Sequence, residues 1–181
     1  VSLKNSSTRL LLYETWARPD RIAAGYFPNL SSMQNELRAS YSAAATDLGL
    51  HGWAPVGDAF LETIAVRLAN DPTTALNEGP LNLWNSDNYH ASAYGSYLAA
   101  NVFYAKILGG DPRALPTGAG SAAAGLGLNS VYADQLQEIA YKMTQTVPEP
   151  STVVLFGMGL LMTTRRRRAG MHRQTGAAIQ P

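Results

Sequence analysis

The segment Arg9-Leu10-Leu11-Leu12-Tyr13-Glu14-Thr15-Trp16 constrains the fold more than any other. Its apolar residues run on without the polar alternation of a half-exposed strand. That is the pattern of a strand covered on both faces in a parallel sheet. Such a strand needs neighbouring strands and helices above and below it, which points to an α/β layered domain. The later sequence offers few further strands. The expectation is therefore that partner strands precede residue 1 and that this chain is the later part of such a domain. Ser2 to Thr8 have neither the basic opening nor the apolar run of a signal peptide.

The middle of the chain supplies the helices. Leu30, Met33, Leu37, Tyr41, Ala44 and Leu48 recur every three or four residues, predicting one helix over 29–48 with Ser31 or Ser32 as its cap. His51 to Val56 reads as a short strand and turn. Helical spacing resumes at Phe60, Ile64 and Leu68 and stops before Asn70-Asp71-Pro72. Residues 73–86 read as loop. Ser92 starts another helix, carried by Tyr97, Leu98, Val102, Ala105 and Leu108 and stopped by Gly109-Gly110. Gly118 to Gly127 is small-residue rich and reads as a flexible joint. A last amphipathic helix, with Val131, Leu136, Ile139, Ala140 and Met143, either packs on the domain or links it to the membrane.

Composition removes whole classes of function. With no Cys there is no disulfide framework, thiolate metal site or thiol nucleophile. The net charge of +1 divides unevenly: residues 1–164 carry 9 basic and 13 acidic groups, whereas residues 165–181 carry 5 basic and none acidic. A mildly acidic body with one basic tip is unlike a nucleic-acid-binding domain, which spreads Lys and Arg over a face. A metal site built from His51, Asp87, His90 and His172 would need ligands from both the body and the tail, so no metal and no cofactor is expected.

The basic tip belongs to an ordered series. Pro148-Glu149-Pro150 is followed by an uncharged run from Ser151 to Thr164 and then by Arg165, Arg166, Arg167 and Arg168. As a helix, 14 residues span roughly 21 Å, short of the roughly 30 Å hydrocarbon core. The arginine stems can lie along the apolar layer with their heads in water, which makes a short transmembrane helix tolerable. By the positive-inside rule the arginines stay cytoplasmic and everything before them lies outside.

Those three parts in that order, Val147 to Arg168, closely resemble the PEP-CTERM protein-sorting signal of Gram-negative bacteria. The resemblance implies export across the inner membrane, transient anchoring through 151–164, and cleavage near Pro148 to Pro150 by an exosortase-type protease. The product would be a cell-surface or extracellular protein. Such signals usually end soon after the arginines, whereas here residues 169–181 follow as a disordered tail.

Chemistry concentrates in Leu83-Trp84-Asn85-Ser86-Asp87-Asn88-Tyr89-His90-Ala91-Ser92. Asp87 and His90, three apart where a loop enters a helix, can form a carboxylate–imidazole pair. One ring nitrogen is then held and the other left as a general base. The same spacing also suits Asp87 capping a turn and His90 capping the helix. Trp16, Arg18 and Asp20 follow the end of the first strand, where α/β sites collect, and Trp84 precedes the pair; these are candidate substrate contacts, with a plain loop held by an Arg-Asp pair as the alternative for the first three.

In its wider context, through Ala91, Ser92, Gly95 and the apolar helix Tyr97 to Val102, this block resembles the last block of SGNH hydrolases, the GDSL-type esterases. The segments 12–20 and 53–60 look like the elements that precede it. The resemblance covers roughly residues 9–112. It implies a three-layer α/β/α fold with a parallel sheet, Asp87 as orienting acid, His90 as base, and an ester substrate such as an acylated polysaccharide or a lipid.

That family's Gly-Asp-Ser nucleophile motif, oxyanion Gly and Asn would all precede residue 1. Gly57-Asp58-Ala59 is out of order for the first of these, and neither Ser96 nor Ser121 sits on a nucleophile elbow. The expected organisation is 1–112 as the C-terminal portion of the hydrolase domain, 113–146 as joint and helix, 147–168 as sorting signal and 169–181 as tail. The expected function is an exported esterase of which this piece alone is inactive. The alternative is a non-catalytic surface protein that binds glycan on a degenerate scaffold of the same kind.

Overall fold

The computed structural model describes residues 8–76 and 78–146. The chain divides into two units at Val147, and the second, residues 148–181, lies outside the described residues together with the sorting signal, the short apolar run and the tail. Among the described residues no helix is long and apolar enough to cross a membrane.

The fold of the first unit is helix-dominated α/β around a small parallel sheet. Strand β1, Leu12–Glu14, pairs in parallel with β2, Trp53–Pro55, in the register Leu12 to Trp53, Tyr13 to Ala54 and Glu14 to Pro55. The connection between the two strands carries α1, Pro19–Ala23, and α2, Leu30–Asp47. Directly after β2 comes α3, Val56–Ala65, then a long loop, then α4, Ala93–Leu108. A single 3-10 turn at Pro112–Ala114, the short α5, Ala122–Gly125, and α6, Ser130–Thr146, complete the unit.

Local chemistry explains these boundaries. Asn29, not Ser31 or Ser32, caps α2: its side-chain oxygen accepts the Ser32 N–H at 2.8 Å. Ser92 caps α4 by accepting from Gly95 N at 3.2 Å, and Gly109 closes the helix in the left-handed region at φ 66°. The periodicity overreaches at helix ends. Leu48 and Leu108 are 49% and 72% exposed because the last turns run past their packing partners. Helix α1 has no apolar repeat to announce it; Pro19 at its first turn and Asp20 near its N-terminus start it instead.

One continuous core runs through all the layers. Phe60 on α3 is its hub, stacked on Trp16 at 5.0 Å between ring centroids and edge-to-face with Trp84 at 5.3 Å. Such pairs add about 0.5–1.5 kcal/mol each beyond burial. Residues 113–146, expected as joint and helix, lie in the same compact unit as the residues before them. Ala123, Leu128, Ala133, Leu136, Ile139 and Ala140 are all core residues, and α6 packs against α4 and α3. Of the two roles left open for the last helix, packing on the domain is the one observed. Gln137 of α6 donates to the Tyr97 hydroxyl at 2.8 Å and to Leu115 O at 3.1 Å.

Candidate functional site

The loop between α3 and α4 returns on itself as a closed turn. Trp84 and Ala91 form an antiparallel bridge, and Asn85 N–H donates to His90 O at 2.8 Å. Inside that bridge Asn88 N–H donates to Asn85 O at 2.9 Å. Asn88 sits at φ 55°, a left-handed conformation that asparagine tolerates better than most residues. Ser92 ties the turn to the segment that enters it, donating backbone N–H to Leu83 O at 2.9 Å and its hydroxyl to Asn82 O at 2.6 Å.

Within the turn, Asp87 does two things at once. Its Oδ1 accepts the backbone N–H groups of Tyr89 and His90, each at 3.0 Å, and its Oδ2 lies 2.6 Å from His90 Nδ1. The His90 hydrogen bond foremost, then the two backbone donors, holds the Asp87 carboxyl down to about 2. An ionised carboxylate can only accept, so Nδ1 donates in this contact and Nε2 is the ring nitrogen left outside it. The His90 side chain is 66% exposed, so that nitrogen is open to a group arriving from outside. The two readings of the Asp-x-x-His spacing thus partly coexist: Asp87 caps its own turn and also orients the imidazole, while the helix cap falls to Ser92 rather than His90.

The segment after β1 clamps the turn from the side. Trp16 Nε1–H donates to Tyr89 O at 3.0 Å, and Asp20 N–H donates to Asn88 O at 3.2 Å. Arg18 lays its guanidinium 3.7 Å from the centre of the Tyr89 ring while its fork grips Asp20 at 3.0 and 2.6 Å. Tyr89 in turn stands 4.3 Å from the His90 ring. The sequence candidates Trp16, Arg18, Asp87 and His90 are therefore brought to one rim at the carboxyl end of the parallel sheet. Trp84 lies beneath that rim, 5% exposed. Tyr89 and Asn88 join the site without having been candidates on sequence. Their contribution rests on a carbonyl and a backbone conformation that residue types do not announce.

A buried polar cluster underpins this rim. Gln34, fully buried on α2, accepts from Ala17 N at 2.7 Å, donates to Thr15 O at 3.2 Å and donates to Glu14 Oε1 at 2.5 Å, fixing the chain on either side of Trp16. Burial first, then the neighbouring Asp58 carboxylate, pushes Glu14 up to about 8. Asp58 itself is gripped by Arg38 through two bonds of 2.7 and 2.5 Å. Gly57-Asp58-Ala59 thus opens α3 and buries its acid against α2. His51 accepts the Leu10 N–H on Nδ1 at 3.2 Å. Among the described residues no group of three His, Asp or Glu is arranged to hold a metal ion, and His172 lies outside them.

Comparison with known proteins bears on the other end of the chain. Residues 146–168 match the PEP-CTERM protein-sorting motif. The match contains Pro148, Glu149, Pro150 and the arginines 165–168, and it implies export and processing by an exosortase at the cell envelope. No curated protein and no solved structure matches the chain.

Proposed function

We propose that this chain carries the Asp–His half of the active site of an exported serine-type acyl hydrolase of the SGNH kind. The observation that carries the reading is the 2.6 Å contact between Asp87 Oδ2 and His90 Nδ1 on an exposed rim at the carboxyl end of a parallel sheet. In this reading His90 Nε2 takes the proton of a serine hydroxyl as its oxygen attacks the ester carbonyl. The imidazolium, steadied by Asp87, then returns that proton to the departing alkoxide. Water repeats the cycle to free the acid from the acyl-enzyme. Trp16, Arg18 and Tyr89 hold the turn that presents the base.

The serine and the oxyanion donors come from a part of the polypeptide other than this chain. His90 makes no hydrogen bond to a serine among the described residues; Asp87 is its side-chain partner. The chain alone therefore turns over no ester, and a polypeptide that adds a Gly-Asp-Ser segment upstream does. The test is p-nitrophenyl acetate hydrolysis by the longer polypeptide. Activity that disappears in His90→Ala supports the proposal, and an intact upstream reading frame without the serine refutes it in favour of a non-catalytic surface protein. The sorting motif favours substrates met outside the cell, acylated glycans before intracellular esters.

A further inference from the structure

We propose that the cavity beside the Asp87–His90 turn is a binding subsite for a single neutral pyranose unit. The cavity measures about 260 Å³, and its walls include Asn70, Asn82, Asn85, Ser86, Asn88 and Trp84. That volume falls just below the range of pockets for drug-sized ligands and suits one ring. No charged side chain lines it, so a charged ligand would find no counter-ion. Asn85, Ser86 and Asn88 belong to the same turn as His90, which puts the cavity next to the proposed base.

The chemistry of the walls is that of a hydroxyl-rich ligand. A carboxamide offers donors and an acceptor within one group, which matches the neighbouring hydroxyls of a sugar. Two of the amides are held in place. Asn70 Oδ1 accepts from Gly79 N at 2.8 Å and its Nδ2 donates to Asn82 Oδ1 at 3.2 Å, which leaves the Asn82 Nδ2 donors available. Asn85 Nδ2 donates to Ala91 O at 3.2 Å and so keeps its Oδ1 as an acceptor. The Ser86 hydroxyl and the Asn88 side-chain amide have no hydrogen-bond partner among the described residues.

A second observation is independent of these amides. The Trp84 ring, only 5% exposed, also lines the cavity and adds an apolar wall on which the C–H face of a sugar ring can pack. Polar groups that converge on one wall mark where an oxygen-rich ligand is favoured. Hydrophobic pockets hold few such groups; here a buried aromatic ring, four amides and a hydroxyl converge. The role of this subsite in substrate recognition, as the place for a sugar whose acyl group reaches His90, rests on the hydrolase reading. The binding itself does not.

The experiment is a titration of the full chain, kept in dodecylphosphocholine micelles to avoid a sugar detergent, with methyl β-glucoside and methyl β-xyloside. Sodium glucuronate is the charged comparison. The readout is the Trp84 indole and asparagine side-chain amide resonances. The expected result is a saturable shift of the Trp84 indole N–H with a dissociation constant on the order of millimolar, weakened at least about fivefold in Asn82→Ala and Asn85→Ala. Backbone spectra that stay native in both variants separate lost contacts from lost fold. No saturable shift with either glycoside, or equal binding by the two variants and wild type, or tighter binding of glucuronate, overturns the proposal. The same titration in His90→Ala keeps the two claims apart. Sugar binding that persists while the longer polypeptide's esterase activity is lost supports both. Esterase activity without sugar binding sinks the subsite alone. Sugar binding with activity indifferent to His90 sustains the subsite and removes the hydrolase.

Discussion

Replacing Glu14 by Gln should turn a stability that declines with pH into one that hardly changes. Glu14 has no exposed surface, and its Oε1 accepts from Gln34 at 2.5 Å. Asp58, the acid that faces it from α3, is held by Arg38 of α2 through two hydrogen bonds. A second buried anion there is costly, so the folded chain keeps a proton on Glu14 up to about pH 8, against an ordinary value of 4.5. The folded state thus binds one proton more than the unfolded chain between those two values. This stabilisation is complete below 4.5 and lost as pH rises to about 8.

One proton gives a slope of at most about 1.4 kcal/mol per pH unit. From pH 5 to 7.5 the loss is no more than about 3 kcal/mol, a fall of roughly 10 °C in Tm for a unit of this size. A glutamine keeps the shape, can accept from Gln34 and can donate toward Asp58, and it does not titrate. Urea denaturation followed by circular dichroism at pH 5, 6.5 and 8 measures both proteins. Their difference cancels every other titrating group. The expected outcome is a wild-type advantage, or parity, at pH 5 that becomes an advantage of Glu14→Gln at pH 8. A difference that does not vary with pH would refute the assignment of Glu14 as a neutral buried acid.

Other perturbations test other parts. Gly95→Ala should lower stability by about 2 kcal/mol or more, seen as a reduced Tm, because the new Cβ would overlap Leu83 O and crowd Phe60 Cζ at 2.9 Å. Arg38→Met, which leaves the buried Asp58 carboxylate unpaired, should cost on the order of 2 kcal/mol, discounted because Arg38 itself is partly exposed; urea midpoints above pH 6 measure it. Trp16→Phe keeps the stack on Phe60 and removes the donor to Tyr89 O, so the turn should exchange its Asn88 and His90 amide protons faster while the core amides do not change. Changing Pro148-Glu149-Pro150 to three alanines should leave the precursor unprocessed in the membrane fraction, read on an immunoblot against the shorter wild-type product.

The parts of the fold that were legible in sequence are those where one local signal dominates. The apolar run around Leu12 pointed to a parallel strand, Ser92 and Gly109-Gly110 bracketed α4, and the residues from Leu30 onward marked α2. Features that sequence did not reveal depend on partners far along the chain. The cap of α2 is Asn29 because its side chain reaches Ser32 N, a choice among three capable neighbours that only geometry makes. Glu14 looks like a break in an apolar strand, yet Gln34, twenty residues later, meets it in the interior. The site divides the same way. Asp87 and His90 are three apart and so were readable, whereas the clamp from Trp16 to Tyr89 spans 73 residues and has no pattern of its own. The sorting motif was legible because its parts are contiguous and their order is the signal.

The central claim is that His90, oriented by Asp87, is the base of an acyl hydrolase. It is tested most directly by the kcat/KM for p-nitrophenyl acetate of a polypeptide that joins the proposed Gly-Asp-Ser segment to this chain, measured for wild type, His90→Ala and Asp87→Asn. The expected result is a loss of about 10³-fold or more for His90→Ala and a smaller but clear loss for Asp87→Asn, which misdirects the ring proton. Hydrolysis by His90→Ala at the wild-type rate would contradict it.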